Sequence, residues 1–268
     1  MVYKKKLTIA ELTDEEIADG IVDKNKYNNA KYRVLFLLKE SWWKHQEADA
    51  NFWHLMDYSI CNLIQDERQV RKHWQTYDNL ARWTALILNN KAQIEEYNPK
   101  QRVDLLSNIA FLNCKKTLGD TSSNDLAVTR DAVYHAEKLK RQIEKCNPDI
   151  IICCGTFEAL EVVENYDKFR HINNEEIWRV IKETNLTSLI KTNYVENAFD
   201  RKRKSQGAEF GDYITVDING NNIPAIKFWH PAARYMTKIV NRKPTIEMLR
   251  NIANDLLVQP KALRNHNN

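Results

Sequence analysis

Four short polar stretches carry the residue types that acid–base chemistry and anion binding use. Lys39-Glu40-Ser41-Trp42-Trp43 sets a carboxylate beside an ammonium and an aromatic pair, and Asn113-Cys114-Lys115-Lys116 sets a carboxamide ahead of two cations. Gly155-Thr156 has the form of a close turn into a helix, whose free N–H groups would face an anion. His230-Pro231-Ala232-Ala233-Arg234 places an imidazole before a proline suited to the first position of a helix. A carboxylate and an imidazole in one cleft can move protons and stabilise developing charge. An Asn side chain both donates and accepts, so it can read a polar edge that a hydroxyl reads only in part. Each residue also has a structural reading: Glu40 as a surface residue or helix cap, Asn113 as a cap for its turn, His230 as a hydrogen-bonded framework residue.

Each stretch directly follows a short apolar run, at Val34–Leu38, Ile109–Asn113, 149–154 and 225–229. The runs are continuous, not alternating, as strands covered on both faces require. Val133, Ala136, Leu139 and Ile143 mark one helix entering the third strand, and further helices are expected at 157–165 and 174–183. Another carries Ile246, Leu249, Ala253, Leu256 and Leu257, capped by Thr245 and ended by Pro260, while Thr13 and Glu16 form a capping box near the start. Tyr213–Ile218 turns at Asn219-Gly220 as a hairpin into the last strand. Strands separated by helices imply crossovers, a mainly parallel sheet and loops gathered at the carboxyl ends of the strands. The expected fold is therefore α/β, three layers α/β/α around a central, mainly parallel four-stranded sheet. One domain spans 1–260, with a helical insertion at about 41–105 that holds five of the seven tryptophans and its own small core. The tail 261–268 is expected to be disordered.

With 268 residues, 43% hydrophobic and 28% charged, the chain has enough apolar content for a substantial core. The first residues are charged and lack an apolar signal core, and no stretch approaches the ~18 to 20 apolar residues of a membrane span. A cytoplasmic protein without membrane contact is the expectation. Five cysteines form an odd set without a CxxC pair, which fits reduced core residues better than disulfides or a metal cage. The net charge of +4 is mild, but basic residues cluster at Lys115-Lys116, at Arg201-Lys202-Arg203-Lys204 and from Arg234 through Lys238 to Arg242-Lys243. Such clusters, more than net charge, hold polyanions. No phosphate-loop or dinucleotide-binding glycine motif is present, which argues against a nucleotide-driven motor or a dehydrogenase.

In this order the pieces resemble the uracil-DNA glycosylase superfamily. The resemblance lies in Leu38-Lys39-Glu40-Ser41, Phe111-Leu112-Asn113, the run Pro148 to Thr156, and His230-Pro231-Ala232. It covers the skeleton from about Lys31 to Val240 and leaves out the tryptophan-rich insertion. It implies a monofunctional glycosylase that extrudes a base and hydrolyses its N-glycosidic bond, leaving an abasic site, with Glu40 placing water and His230 facing the base. Asn113, Ser41, Trp42 and Trp43 would then hold the base, while Lys39, Lys115, Lys116, Thr156, Arg201, Lys202, Arg203, Arg234 and Lys238 would grip DNA. DNA is the implied partner, with no cofactor, no metal and a monomeric protein. The chain departs from the family where Lys39 replaces the usual Gly, where no Pro follows Glu40, and where Ala232 replaces a common Ser. These changes alter the pocket floor and leave the target open between uracil and a larger or modified base, in repair or in defence against foreign DNA. Two other classes remain: a DNA-binding module of the same fold without hydrolysis, and a hydrolase of free nucleotides or nucleosides.

Overall fold

A computed structural model of the chain describes residues 19–39, 75–89, 98–116, 125–165 and 213–231. In chain order the elements are β1 (Gly20–Ile21), α1 (Lys24–Asn29), β2 (Val34–Leu38), α2 (Gln75–Asn89), α3 (Pro99–Leu106) and β3 (Ile109–Asn113). Then come α4 (Asp125–Tyr134), α5 (Ala136–Cys146), β4 (Ile150–Cys154), α6 (Phe157–Glu164), β5 (Tyr213–Ile218) and β6 (Asn221–Phe228). The apolar runs 34–38, 109–113 and 150–154 are buried at every position, as their lack of alternation required.

The sheet has six strands in the order β1-β3-β2-β4-β6-β5 and is mixed, which corrects the expected count of four. The neighbours β3, β2, β4 and β6 run parallel, and the two outermost strands pair antiparallel. β1 escaped the sequence reading because two residues carry no periodicity. β5 joins through the hairpin foreseen at Asn219-Gly220, where both residues take positive φ (53° and 77°). That is the backbone a tight two-residue turn demands, and Asn-Gly adopts it at little cost.

Alternation along the strands divides the core between two faces. On one, Val34, Phe36, Ile152 and Phe228 meet Leu80, Trp83 and Ile87 of α2 and Leu106 of α3. On the other, Leu35, Leu37, Leu112 and Ile151 meet Val128 of α4, Leu139 and Ile143 of α5 and Leu160 of α6. Helices therefore cover both faces. Trp83 stands edge-on to Phe228 at 4.9 Å between ring centroids and tilts against Phe36 at 6.3 Å, so this part of the insertion belongs to the main core and not to a separate one. The single helix expected before β4 is two: His135, at φ −109° and ψ 24°, leaves the helical region and separates α4 from α5.

At the amino ends of the strands, Arg33 and Asp149 fasten β2 to β4. The Asp149 carboxylate accepts from the Arg33 backbone N–H (2.9 Å), Nε (3.3 Å) and Nη2 (3.0 Å), and Asp149 N–H donates to Arg33 O (2.8 Å). From β2 the chain passes through α2 and α3 to β3 on one side. From β4 it passes through α6 to β6 on the other, over the opposite face. The carboxyl ends of β2 and β4 therefore flank a topological switch point, where an open α/β sheet leaves a crevice. The capping box at Thr13, the helices at 174–183 and after Thr245, and the tail lie outside the described residues.

Candidate functional site

The parallel register carries the residues after β2, β3, β4 and β6 to one edge. Pairing of β2 with β3 continues past both strands, since Cys114 N–H donates to Leu38 O and Lys115 N–H to Lys39 O, each at 2.8 Å. On the other side Gly155 N–H donates to Phe228 O at 2.9 Å, tying the exit of β4 to that of β6. Thr156 crosses the crevice, its buried hydroxyl donating to Leu37 O at 2.8 Å. That bond takes the hydroxyl away from capping α6, which has no side-chain cap. The exit of β6 is held in turn from α2, whose buried Asn79 donates through Nδ2 to Pro231 O at 2.7 Å.

At the centre of this edge is Gly155, with φ +71°. A methyl group at this position would lie 2.6 Å from Lys39 Cε, 3.4 Å from Lys39 Nζ and 3.7 Å from His230 Cβ. Two requirements thus meet at one residue: a left-handed backbone, which glycine adopts without strain, and bare space over which the lysine lies. The half-buried side chains of Lys39 and His230 are brought together across the switch point from strands that are not neighbours.

The exit of β3 is built differently. Asp19, just before β1, accepts from Asn113 N–H (2.8 Å), Lys116 Nζ (2.8 Å) and Gln142 Nε2 (3.2 Å). The Lys116 and Asp19 side chains are only 2% and 5% exposed, so this ion pair is buried. Asp131 of α4 adds an acceptor for Lys116 N–H at 2.6 Å. Between them lies Cys114, whose thiol burial pushes up to about 12, against the pull of Lys116 and a hydrogen bond with Thr156. Burial likewise raises the thiols of Cys153 and Cys154. Cys114, Cys146, Cys153 and Cys154 are free, buried thiols of the core.

Of the residues singled out by sequence, Lys39, Asn113, Lys115, Thr156 and His230 stand at this edge. Asn113 is buried, in register with Leu38. Two expectations are corrected. Lys116, read as a phosphate contact, has its ammonium in the buried pair with Asp19, and Thr156, read likewise, uses its hydroxyl to join the β4 exit to β2. Glu40, Ser41, Trp42, Trp43, Arg201, Lys202, Arg203, Arg234 and Lys238 lie outside the described residues. The sequence reading missed Asp19, Asp131, Gln142 and Asn79, which act through partners far along the chain and belong to no motif. Among the described residues no helix is long and apolar enough to cross a membrane, and no three His, Cys, Asp or Glu side chains gather as metal ligands.

Fold and site together define an α/β protein with a lysine and a histidine meeting over a glycine at the switch point of its parallel strands. No family model, curated protein or solved structure matches the chain.

Proposed function

We propose that the protein is a DNA glycosylase with a uracil-DNA-glycosylase-like fold, hydrolysing the N-glycosidic bond of an extruded base to leave an abasic site. The observation that carries this reading is the meeting of Lys39, Gly155 and His230 at the switch point. It unites the first, third and last pieces of the sequence resemblance, with Asn113 on the adjoining strand. Breaking the bond leaves positive charge on the sugar and negative charge on the departing base. In this reading His230 donates a hydrogen bond to the base as charge builds there. Glu40, next in the chain after Lys39, places water against the anomeric carbon and opposes the cationic sugar. Asn113 reads the base edge, and Trp42 or Trp43 stacks on the extruded base, offsetting an unstacking cost of a few kcal/mol. Lys115, Arg201, Lys202, Arg203, Arg234 and Lys238 hold backbone phosphates, so binding weakens steeply with salt.

The test incubates the protein with DNAs carrying normal, uracil, other deaminated, hydroxymethylated or glucosylated bases and then cleaves abasic sites with alkali. Strand breaks that disappear in Glu40→Gln and His230→Ala, with DNA binding kept, are the expected result. Binding to every DNA without breaks would instead mark a recognition module, the reading that the lysine in place of the family's first-motif glycine favours. Release of base from free nucleosides alone would move the activity to small substrates.

A further inference from the structure

Lys39 stands where the family has glycine, so the resemblance gives it a grip on DNA and no place in the chemistry. A lysine that only held a phosphate would be expected to extend to the rim of the crevice. This one lies across Gly155, with its Cε and Nζ and the Cβ of His230 all within 4 Å of the point where a side chain at 155 would begin. A primary amine and a histidine that both approach Gly155, at the place where a sugar is to be exposed, are the equipment of amine catalysis on a carbonyl. The product of base excision supplies that carbonyl, because an abasic deoxyribose opens to an aldehyde at C1′.

We infer that Lys39 forms an imine with the C1′ aldehyde of an abasic site, so that the protein holds the product of excision covalently; this rests on the glycosylase reading for the origin of the aldehyde. The lone pair of Lys39 Nζ attacks C1′, and the carbonyl oxygen takes a proton to give a carbinolamine. Its hydroxyl leaves as water while nitrogen gives up a proton, and the C=N bond is formed. No oxidant or reductant is consumed. In this inference His230, whose Cβ approaches Gly155 as Lys39 does, gives the proton that the hydroxyl needs and receives the one that nitrogen loses.

The experiment uses the full chain and DNA in which an abasic site has been made beforehand, so it does not depend on base excision. Sodium cyanoborohydride delivers hydride to the imine carbon, nitrogen takes a proton from water, and the adduct becomes a stable secondary amine. The expected result is a protein–DNA adduct that peptide mass spectrometry maps to Lys39, falling at least tenfold in Lys39→Ala and unchanged in Lys31→Arg. Lys31 is an exposed lysine at the opposite edge of the sheet. No adduct, or one mapped to other lysines and kept in Lys39→Ala, would overturn the inference. Mapping on the unaltered protein makes the outcome independent of whether a variant folds. Excision without trapping removes this inference alone; trapping at Lys39 without excision of any base removes the glycosylase reading alone.

Discussion

Two lysines leave neighbouring strands at the same edge of the sheet and meet opposite surroundings. Lys116, past β3, is closed into a buried pair with Asp19, and the same carboxylate takes up Asn113 N–H and Gln142 Nε2. Lys39, past β2, lies half-buried over Gly155, which His230 Cβ also approaches. One exit is a strut closed by a buried ion pair, while the other brings Lys39 and His230 to Gly155 at the crevice. Two lysines one strand apart thus take different places, one closed into the framework and one at the crevice, and the local sequence does not distinguish them. What closes Lys116 into the framework is Asp19, far away in the chain and brought there by a two-residue strand.

The largest effect that would test this contrast is on stability. Asp19→Ala leaves the Lys116 ammonium buried without its carboxylate, a change that costs about 3 to 5 kcal/mol. Urea denaturation should register that loss, and adding Lys116→Met should recover much of it, because the uncompensated charge is then gone. A double variant as unstable as the single one would show that Asp19 works mainly through Asn113 and Gln142. The other exit should answer in activity instead. On the glycosylase reading, His230→Ala lowers base excision by about 10²- to 10³-fold, as removal of one preorganised donor does, with its urea midpoint near that of the parent. Equal losses of stability at the two exits would erase the contrast.

Gly155 yields a smaller and more finely divided effect. Alanine there must hold φ +71° and displace the lysine lying over it. The backbone part costs about 1 to 2 kcal/mol, and the steric part depends on how freely Lys39 moves aside. In a double-mutant cycle, Lys39→Ala should relieve the steric part and leave the backbone part. Additive losses would mean that Lys39 already moves aside without cost.

The parts of this architecture that the sequence announced are those whose cause is local. Val34–Leu38 and Ile109–Asn113 are strands with the bounds that their apolar runs implied, because burial on both faces shows directly in composition. The β5–β6 hairpin was marked by Asn219-Gly220, since few dipeptides take positive φ twice. What stayed hidden depends on distant partners. β1 is too short to have a pattern, the break at His135 interrupts an otherwise regular apolar spacing, and Trp83 looks like part of an insertion until Phe36 and Phe228 are seen around it. The site divides in the same way. Position after a strand marked Lys39, Asn113 and His230, but it marked Lys116 and Thr156 equally, and only their partners reveal that both fasten the loops.

The smallest effect returns to the β3 exit and concerns pH. His135, between α4 and α5, is held below its ordinary 6.5 by burial, with Lys138 and Lys116 pushing the same way and Asp131 opposing. The native state therefore prefers the neutral imidazole, whereas the unfolded chain takes up a proton near 6.5. As the pH drops below that value the unfolded state binds more protons, so the contribution of His135 is complete above 6.5 and declines beneath it until the folded imidazole also titrates. Glu164 acts with the opposite sign, since burial raises its carboxyl above 4.5 and acid favours its folded form. Comparison with His135→Gln cancels Glu164 and isolates the histidine. The difference in unfolding free energy between parent and variant should be flat above pH 7 and shift against the parent from about pH 6.5 downward. A difference that stayed flat through this range would mean that an imidazolium is tolerated beside Lys116, and that the β3 exit is less completely charge-matched than the Asp19 pair implies.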